Sequence, residues 1–140
     1  MSNQVARIIL SAVLALPAMA QNPDIKKVPA PYTSPASGAE MYKAYCASCH
    51  GVYGLGDGPV AEHLKIPIPD LTTLSKQNKG SFPSLHVSKV IRGEIGARTH
   101  GRQDMPVWGP VFLNLNNRQE AAVQARVSNL VKYIEFIQAK

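Results

Sequence analysis

Residues 46–50 read Cys-Ala-Ser-Cys-His, and the rest of the sequence is interpreted outward from this stretch. Two thiols three positions apart can each bond a vinyl group of a porphyrin, and a histidine directly behind the second can ligate the iron. Both cysteines of the chain lie in this run. We therefore predict one covalently bound haem c, with Cys46 and Cys49 as attachment residues and His50 as an axial ligand.

A redox-active or disulfide-bonded Cys-x-x-Cys pair is the competing interpretation, since export to an oxidising compartment favours disulfides. A thioredoxin-like motif would require a βαβ pattern around it. The chain has no convincing run of alternating β-branched residues. The position of His50 directly after Cys49 favours the haem.

The first twenty residues have the pattern of a signal peptide. Arg7 precedes an apolar run over residues 8–20, which ends in Ala18-Met19-Ala20 before Gln21. The alternative is an uncleaved membrane anchor, but this run is shorter than the roughly 20 residues that span a bilayer. We predict cleavage, a periplasmic location and no transmembrane anchor in the mature protein.

The remaining composition predicts one soluble domain: the chain has 140 residues, of which 45% are hydrophobic and 17% charged. Without Arg7 the chain keeps 14 basic and 9 acidic side chains, a net charge of +5. This charge can steer the protein toward an acidic docking surface on a redox partner. Nucleic acid is not favoured, because the basic residues are scattered apart from Lys26-Lys27.

Prolines divide the mature chain into an extended lead-in, residues 21–36, and a domain, residues 37–140. In the domain, Ser37 and Glu40 form a capping-box pattern for a helix that ends in the attachment motif. The pattern then predicts a long Gly/Pro loop, a short helix over 70–79, a helix between Pro83 and Gly93, and a loop with a short turn of helix from Met105. The expected fold is all-α, with four or five helices.

The last helix is predicted to begin at an Asn-x-x-Glu pattern, Asn117 to Glu120. Its apolar residues recur at helical spacing and predict one buried stripe that packs on the first helix: Val123, Val127, Leu130, Val131, Ile134 and Ile137. The polar residues expected to face water are Arg118, Arg126, Lys132 and Gln138.

Met105 is the candidate for the second axial ligand. It lies 55 residues after His50, far enough along the chain to reach the opposite face of a haem, and a thioether there would raise the reduction potential. Met41 is too close to the motif and is expected in the core. His100 is the alternative ligand, whereas His63 and His86 are expected at the surface.

The surroundings of the ligands are less constrained by sequence. An axial imidazole is usually oriented by a partner on its other nitrogen, and a carbonyl within residues 67–69 is a plausible acceptor. The haem propionates, if buried, require donors such as Arg98, Arg102 or Trp108. The sequence does not choose between these and a solvated pair.

Several short motifs resemble those of the monohaem class I cytochromes c: Gly38-x-x-x-Tyr42, Leu130-x-x-Tyr133, Pro69-Asp70-Leu71 and Met105-Pro106-Val107-Trp108-Gly109. The resemblance implies that the first and last helices cross, that the Pro69 carbonyl accepts the N–H of His50 and that Leu71 packs on the haem. It also implies that Met105 is the sixth ligand. The chain lacks the dense lysine ring of mitochondrial members, so their docking surface is not carried over.

The predicted function is transfer of single electrons between redox partners, without enzymatic activity. Two alternatives remain. The domain can be the electron-transfer subunit of a larger periplasmic oxidoreductase, with the lead-in as a docking arm. It can also be a haem enzyme or sensor whose sixth position opens for a peroxide or gas.

Overall fold

The computed structural model describes residues 29–64, 66–95 and 105–139. The predicted signal peptide and residues 21–28 of the lead-in lie outside these ranges, as do Arg98, His100 and Arg102. The described ranges contain no β-strand, so the all-α prediction is confirmed. Their six α-helices are α1 Gly38–Tyr45, α2 Ala47–His50, α3 Leu74–Gln77, α4 Ser84–Arg92, α5 Trp108–Leu115 and α6 Glu120–Phe136. Two single 3-10 turns cover Ala61–His63 and Leu71–Thr73.

Helix α1 begins as predicted, because the Ser37 hydroxyl accepts a hydrogen bond from the backbone N–H of Glu40 at 3.2 Å. The reciprocal half of the capping box is not made. The Glu40 carboxylate instead accepts from the N–H of Ser34 at 3.4 Å. The helix ends at Tyr45 and continues after Cys46 as the four-residue α2, which carries the attachment motif.

Helices α1 and α6 cross at Gly38, and the contact leaves no room for a side chain. A Cβ there would lie 2.1 Å from the Asn129 carbonyl oxygen and 2.9 Å from Cβ of Tyr133. One turn along, the rings of Tyr42 and Tyr133 meet with centroids 5.1 Å apart. The predicted crossing of the first and last helices is confirmed.

The apolar stripe of α6 is also confirmed, since its buried residues include Val123, Val127, Leu130, Val131 and Ile134. Three expectations for this region are wrong. The cap of α6 is Gln119, because Asn117 has a left-handed φ of 49°. Arg126 and Gln138, expected to face water, are respectively fully buried and half-buried.

Helix α5 is longer than the single turn predicted. Pro110 is its third residue, where the backbone N–H has no partner within the helix and proline is tolerated. Gly109 allows the helix to touch the end of α4, because a Cβ there would lie 2.7 Å from the Arg92 carbonyl oxygen. Helix α4 ends at Gly93, which has a left-handed φ of 77°, as the sequence predicts.

The core joins α1, α4, α5 and α6 through buried apolar side chains, among them Met41, Tyr42, Tyr45, Val87, Ile91, Trp108 and Phe112. Met41 is fully buried there, as expected. Across the described ranges, no helix combines the length and the apolar character needed to cross a bilayer.

Candidate functional site

The attachment motif lies where α1 gives way to α2. Cys46 ends α1 and precedes α2, while Cys49 and His50 lie in its last turn. Both cysteines are half-buried and neither forms a disulfide. Their i, i+3 spacing places the two thiols on the same side of one helical turn. Two free thiols in this position suit two thioether bonds to one porphyrin.

The Cys46 thiol is in a poorly solvated position. Burial, followed by the charge of Cys49, raises the pKa of the Cys46 thiol to about 12. Reactive Cys-x-x-Cys pairs of disulfide oxidoreductases instead depend on a thiol with a lowered pKa. Together with the lack of any strand near the motif in the described ranges, this argues against the redox-dithiol alternative.

His50 is buried and oriented by a backbone carbonyl. Its Nδ1 lies 3.4 Å from the carbonyl oxygen of Pro69, within the 67–69 stretch predicted to supply the acceptor. Because a carbonyl can only accept, this contact requires the proton on Nδ1, and in that neutral tautomer the ring's lone pair is on Nε2. The structure thus brings His50 and Pro69 together in the arrangement of an axial imidazole.

The loop after the motif is held against it by backbone hydrogen bonds. The N–H groups of Gly56, Gly58 and Val60 donate to the carbonyls of His50, Cys49 and Ser48 at 2.8, 3.2 and 2.9 Å. Gly58 is the closest approach, since a Cβ there would lie 2.4 Å from the Ser48 oxygen. These bonds fix the carbonyl side of α2 and leave the cysteine side chains to the cofactor.

Leu71 follows Pro69 and is half-buried against the core. Its N–H donates to the Gly54 carbonyl at 2.7 Å, and its own carbonyl accepts from the side-chain amide of Gln138 at 2.7 Å. The Gln138 side chain also accepts from the Ser75 N–H at 2.8 Å. The end of α6 is thereby fastened to the segment that orients His50, a role that the sequence did not reveal.

Met105 and Trp108 lie on the other segment predicted to form the site. Met105 is half-buried and packs against the core just before α5. Trp108 is buried, with its ring centroid 5.1 Å from that of Tyr45, the residue before Cys46. Trp108 therefore contacts the last residue of α1, directly ahead of the attachment motif. His63 and His86 are exposed, as expected.

The family model for Cytochrome c matches residues 35–135. The chain belongs to the cytochrome c family. Comparison with curated proteins finds no match, and neither does comparison with solved structures. The match covers α1 through most of α6 and supports the class I monohaem cytochrome c fold that the short motifs imply.

Membership identifies the chain as a haem-binding electron-transfer protein. The cofactor is covalent haem c, and Cys46 and Cys49 fit its attachment motif. Cys46 and Cys49 would each hold the haem by a thioether, in which the thiol S–H is added across one vinyl group and no oxidant is required. The haem supplies an iron that can hold or release one electron.

Proposed function

We propose that the protein is a periplasmic carrier of single electrons, with the haem iron held between His50 and Met105. The observation that supports this most directly is the contact of His50 Nδ1 with the Pro69 carbonyl, which prepares Nε2 as a ligand. His50 is 9% exposed, so bulk water has little access to that bond. A histidine ligand that is shielded from water suits electron transfer, in which no substrate has to reach the metal.

Met105 is proposed as the second ligand, which would leave no open coordination position. Its half-buried position against the core and the burial of Trp108 three residues later support a fixed rather than a solvated methionine. A thioether ligand favours ferrous iron and so raises the potential. With both axial positions filled, peroxides and small gases would have no free site.

The Met105→Ala variant tests the ligand. We expect loss of the sulfur-to-iron charge-transfer band of the ferric protein and a fall in reduction potential on the order of 100 mV, since axial ligands tune haem potentials over about 0.8 V. Val107→Ala is the matched control, because Val107 lies in the same segment and is 48% exposed. An unchanged band in Met105→Ala would exclude Met105 as the source of the sulfur ligand. A wild-type protein without the band would exclude methionine ligation and direct attention to His100.

Export is proposed from the apolar leader, and partner choice from the charge of the mature chain. Expression in a bacterium with haem-attachment machinery should give a periplasmic protein that begins at Gln21, which intact mass measures. With a net charge of +5, electron transfer to an acidic redox protein should slow as ionic strength rises. A rate that is independent of salt would argue against an acidic docking surface.

A further inference from the structure

Arg126 is the largest fully buried side chain of the described ranges, and the function described so far does not use it. Its Nη1 donates to the Thr33 hydroxyl at 3.0 Å and its Nη2 to the Thr33 carbonyl at 2.8 Å. The three ion pairs of the described residues do not include it, and its Nε has no hydrogen-bond partner. A buried guanidinium without a carboxylate is costly, so the contacts that replace one require an explanation.

The Arg126 guanidinium is contacted by two aromatic rings and by its two hydrogen bonds to Thr33. The guanidinium carbon lies 5.2 Å from the ring centroid of Tyr32 and 5.8 Å from that of Phe112, close enough for cation–π attraction. The two hydrogen bonds to Thr33 come from the two terminal nitrogens of the planar guanidinium, a paired arrangement that a lysine ammonium cannot supply. Arg126 thus fixes both the backbone and the side chain of Thr33, which is itself 4% exposed.

The hydrogen-bond directions beyond Thr33 follow from the two ends of the network. Oxygens of Thr33 and Tyr45 lie 2.8 Å apart, and the Tyr45 hydroxyl lies 2.6 Å from the Pro31 carbonyl. A carbonyl only accepts, so Tyr45 donates to Pro31 and must accept from Thr33. The Thr33 hydroxyl can donate in that direction because Arg126 donates to its lone pair. Every proton in the chain from Arg126 to Pro31 therefore has one defined direction.

This network includes the hydroxyl of Tyr45, the residue directly before the attachment motif. Tyr45 precedes Cys46, and its ring contacts Trp108 at 5.1 Å and Phe112 at 5.6 Å between centroids. Trp108 begins α5, the helix that follows Met105. A side chain on α6 and a segment ahead of α1 are thereby connected, through Tyr45, to Trp108, which lies three residues after Met105.

We propose that Arg126 is a positioning residue, which locks residues 31–33 as a strap over Tyr45 and, through Tyr45 and Trp108, keeps Met105 on the iron. The proposal rests on the proposed His50/Met105 ligation. It gives the segment ahead of α1 a role in the redox site, where sequence alone indicated an extended lead-in and, in one alternative, a docking arm. The proposal depends on the hydrogen bonds that run from Arg126 through the Thr33 and Tyr45 hydroxyls to the Pro31 carbonyl. Removal of the Thr33 hydroxyl interrupts them.

Thr33→Val tests the strap while it preserves side-chain shape and the Arg126 charge. The substitution removes the two hydrogen bonds of the Thr33 hydroxyl, from Arg126 and to Tyr45. It should raise the population of the form without the methionine bond at least about five-fold at a fixed alkaline pH. The measurement is the sulfur-to-iron band of the ferric holoprotein during a pH titration, beside its reduction potential. Thr33→Ser keeps the hydroxyl and should restore the wild-type titration.

Arg126→Lys is the second variant, since it keeps the charge and loses the paired arrangement. Like Thr33→Val, it should weaken the sulfur-to-iron band at a fixed alkaline pH. If both variants lower only the denaturation midpoint and leave the band and the potential unchanged, the strap is purely structural and the proposal is wrong. Absence of the band in the wild-type protein would instead refute Met105 ligation, and this proposal with it.

Discussion

The two segments that carry the proposed axial ligands, His50 and Met105, are held in different ways. The segment with His50, residues 46–71, is fixed mainly by backbone hydrogen bonds between its own turns, such as Gly56 N–H to the His50 carbonyl and Leu71 N–H to the Gly54 carbonyl. The segment with Met105, residues 105–115, is fixed by side chains, chiefly the packing of Trp108 and Phe112 on Tyr45. We call them the attachment segment and the methionine segment.

The difference shows that the fold holds the proposed histidine ligand and the proposed methionine ligand by separate means. A histidine that must stay ligated benefits from a rigid backbone frame whose hydrogen bonds are mostly local. The proposed Met105 ligand would depend on packing contributed by distant parts of the chain, so many substitutions could change the strength of its bond to the iron. Stability changes in the attachment segment should follow backbone geometry, and those in the methionine segment should follow side-chain volume.

The largest effect is expected at Phe112, which is fully buried and contacts Tyr45, Trp108 and Arg126. Phe112→Ala should reduce the free energy of unfolding by about 3–5 kcal/mol, measured by denaturant titration of the holoprotein. Phe136→Ala is the control, because that ring is 83% exposed and its loss should change stability by less than about 0.5 kcal/mol. Equal losses would mean that side-chain packing does not hold the methionine segment.

An intermediate effect is expected at Gly56 in the attachment segment. Gly56 has φ 81°, and a Cβ there would lie 2.4 Å from the Ile68 carbonyl oxygen. Gly80 has a similar φ of 87° and nothing within 4 Å, so the pair separates backbone strain from collision. Gly56→Ala should cost about 1–3 kcal/mol more than Gly80→Ala. It should also change the absorption spectrum of the haem, because Ile68 precedes Pro69, whose carbonyl orients His50. Equal losses of stability in Gly56→Ala and Gly80→Ala would mean that the backbone at Gly56 is not close-packed.

The smallest effect is expected at Tyr42, a side chain that reaches the attachment segment from α1. Its hydroxyl donates to the Gly51 carbonyl at 2.9 Å. Burial, followed by the charges of Cys46, Tyr133 and Asp57, raises the pKa of the Tyr42 phenol above its ordinary value of 10. Tyr42→Phe should cost about 1 kcal/mol at pH 7.

The same substitution should change the response to alkali. In the folded protein the Tyr42 phenol stays protonated where the unfolded chain releases that proton, so the unfolded state binds fewer protons and stability falls as pH rises above about 10. Tyr42→Phe should therefore lose less stability between pH 9 and pH 11 than the wild type, values chosen to lie roughly one unit on either side of that pKa. Tyr53→Phe is the control, since Tyr53 is 75% exposed. Parallel pH profiles for wild type and Tyr42→Phe would contradict the assigned cause.

Sequence reasoning succeeded where the signal is local. The Ser37 cap, the Gly93 end of α4 and the apolar stripe of α6 each depend on residues within a turn or two of one another, and all three are confirmed. The attachment motif is equally local, and the family match agrees with the haem c that it predicts. The position of His50 beside Pro69 also agrees with the expectation for this stretch. The assignment of Met105 as a ligand stays a prediction.

The errors concern residues whose partners lie far away in sequence. Arg126 and Gln138 are polar positions on a helix, and such residues usually face water. Only the folded chain brings Thr33 to Arg126 and Leu71 to Gln138, across separations of 93 and 67 residues. The start of α6 was misplaced because Asn117 can adopt either a cap conformation or the left-handed one that it has here.

The contact between Gly38 and Asn129 also bears on the order of folding. Closing a loop of this length costs entropy before the contact contributes any stability, so we expect the α1–α6 crossing to form late. Until α6 arrives, Met41 and Tyr42 on α1 have no partner helix, and Cys46 and Cys49 lie on a half-assembled surface. A thiol in that state is easier to reach than the enclosed Cys46 of the finished fold. Covalent haem attachment is therefore expected to precede closure by the last helix, so that the bound porphyrin becomes part of the surface on which that helix completes the core.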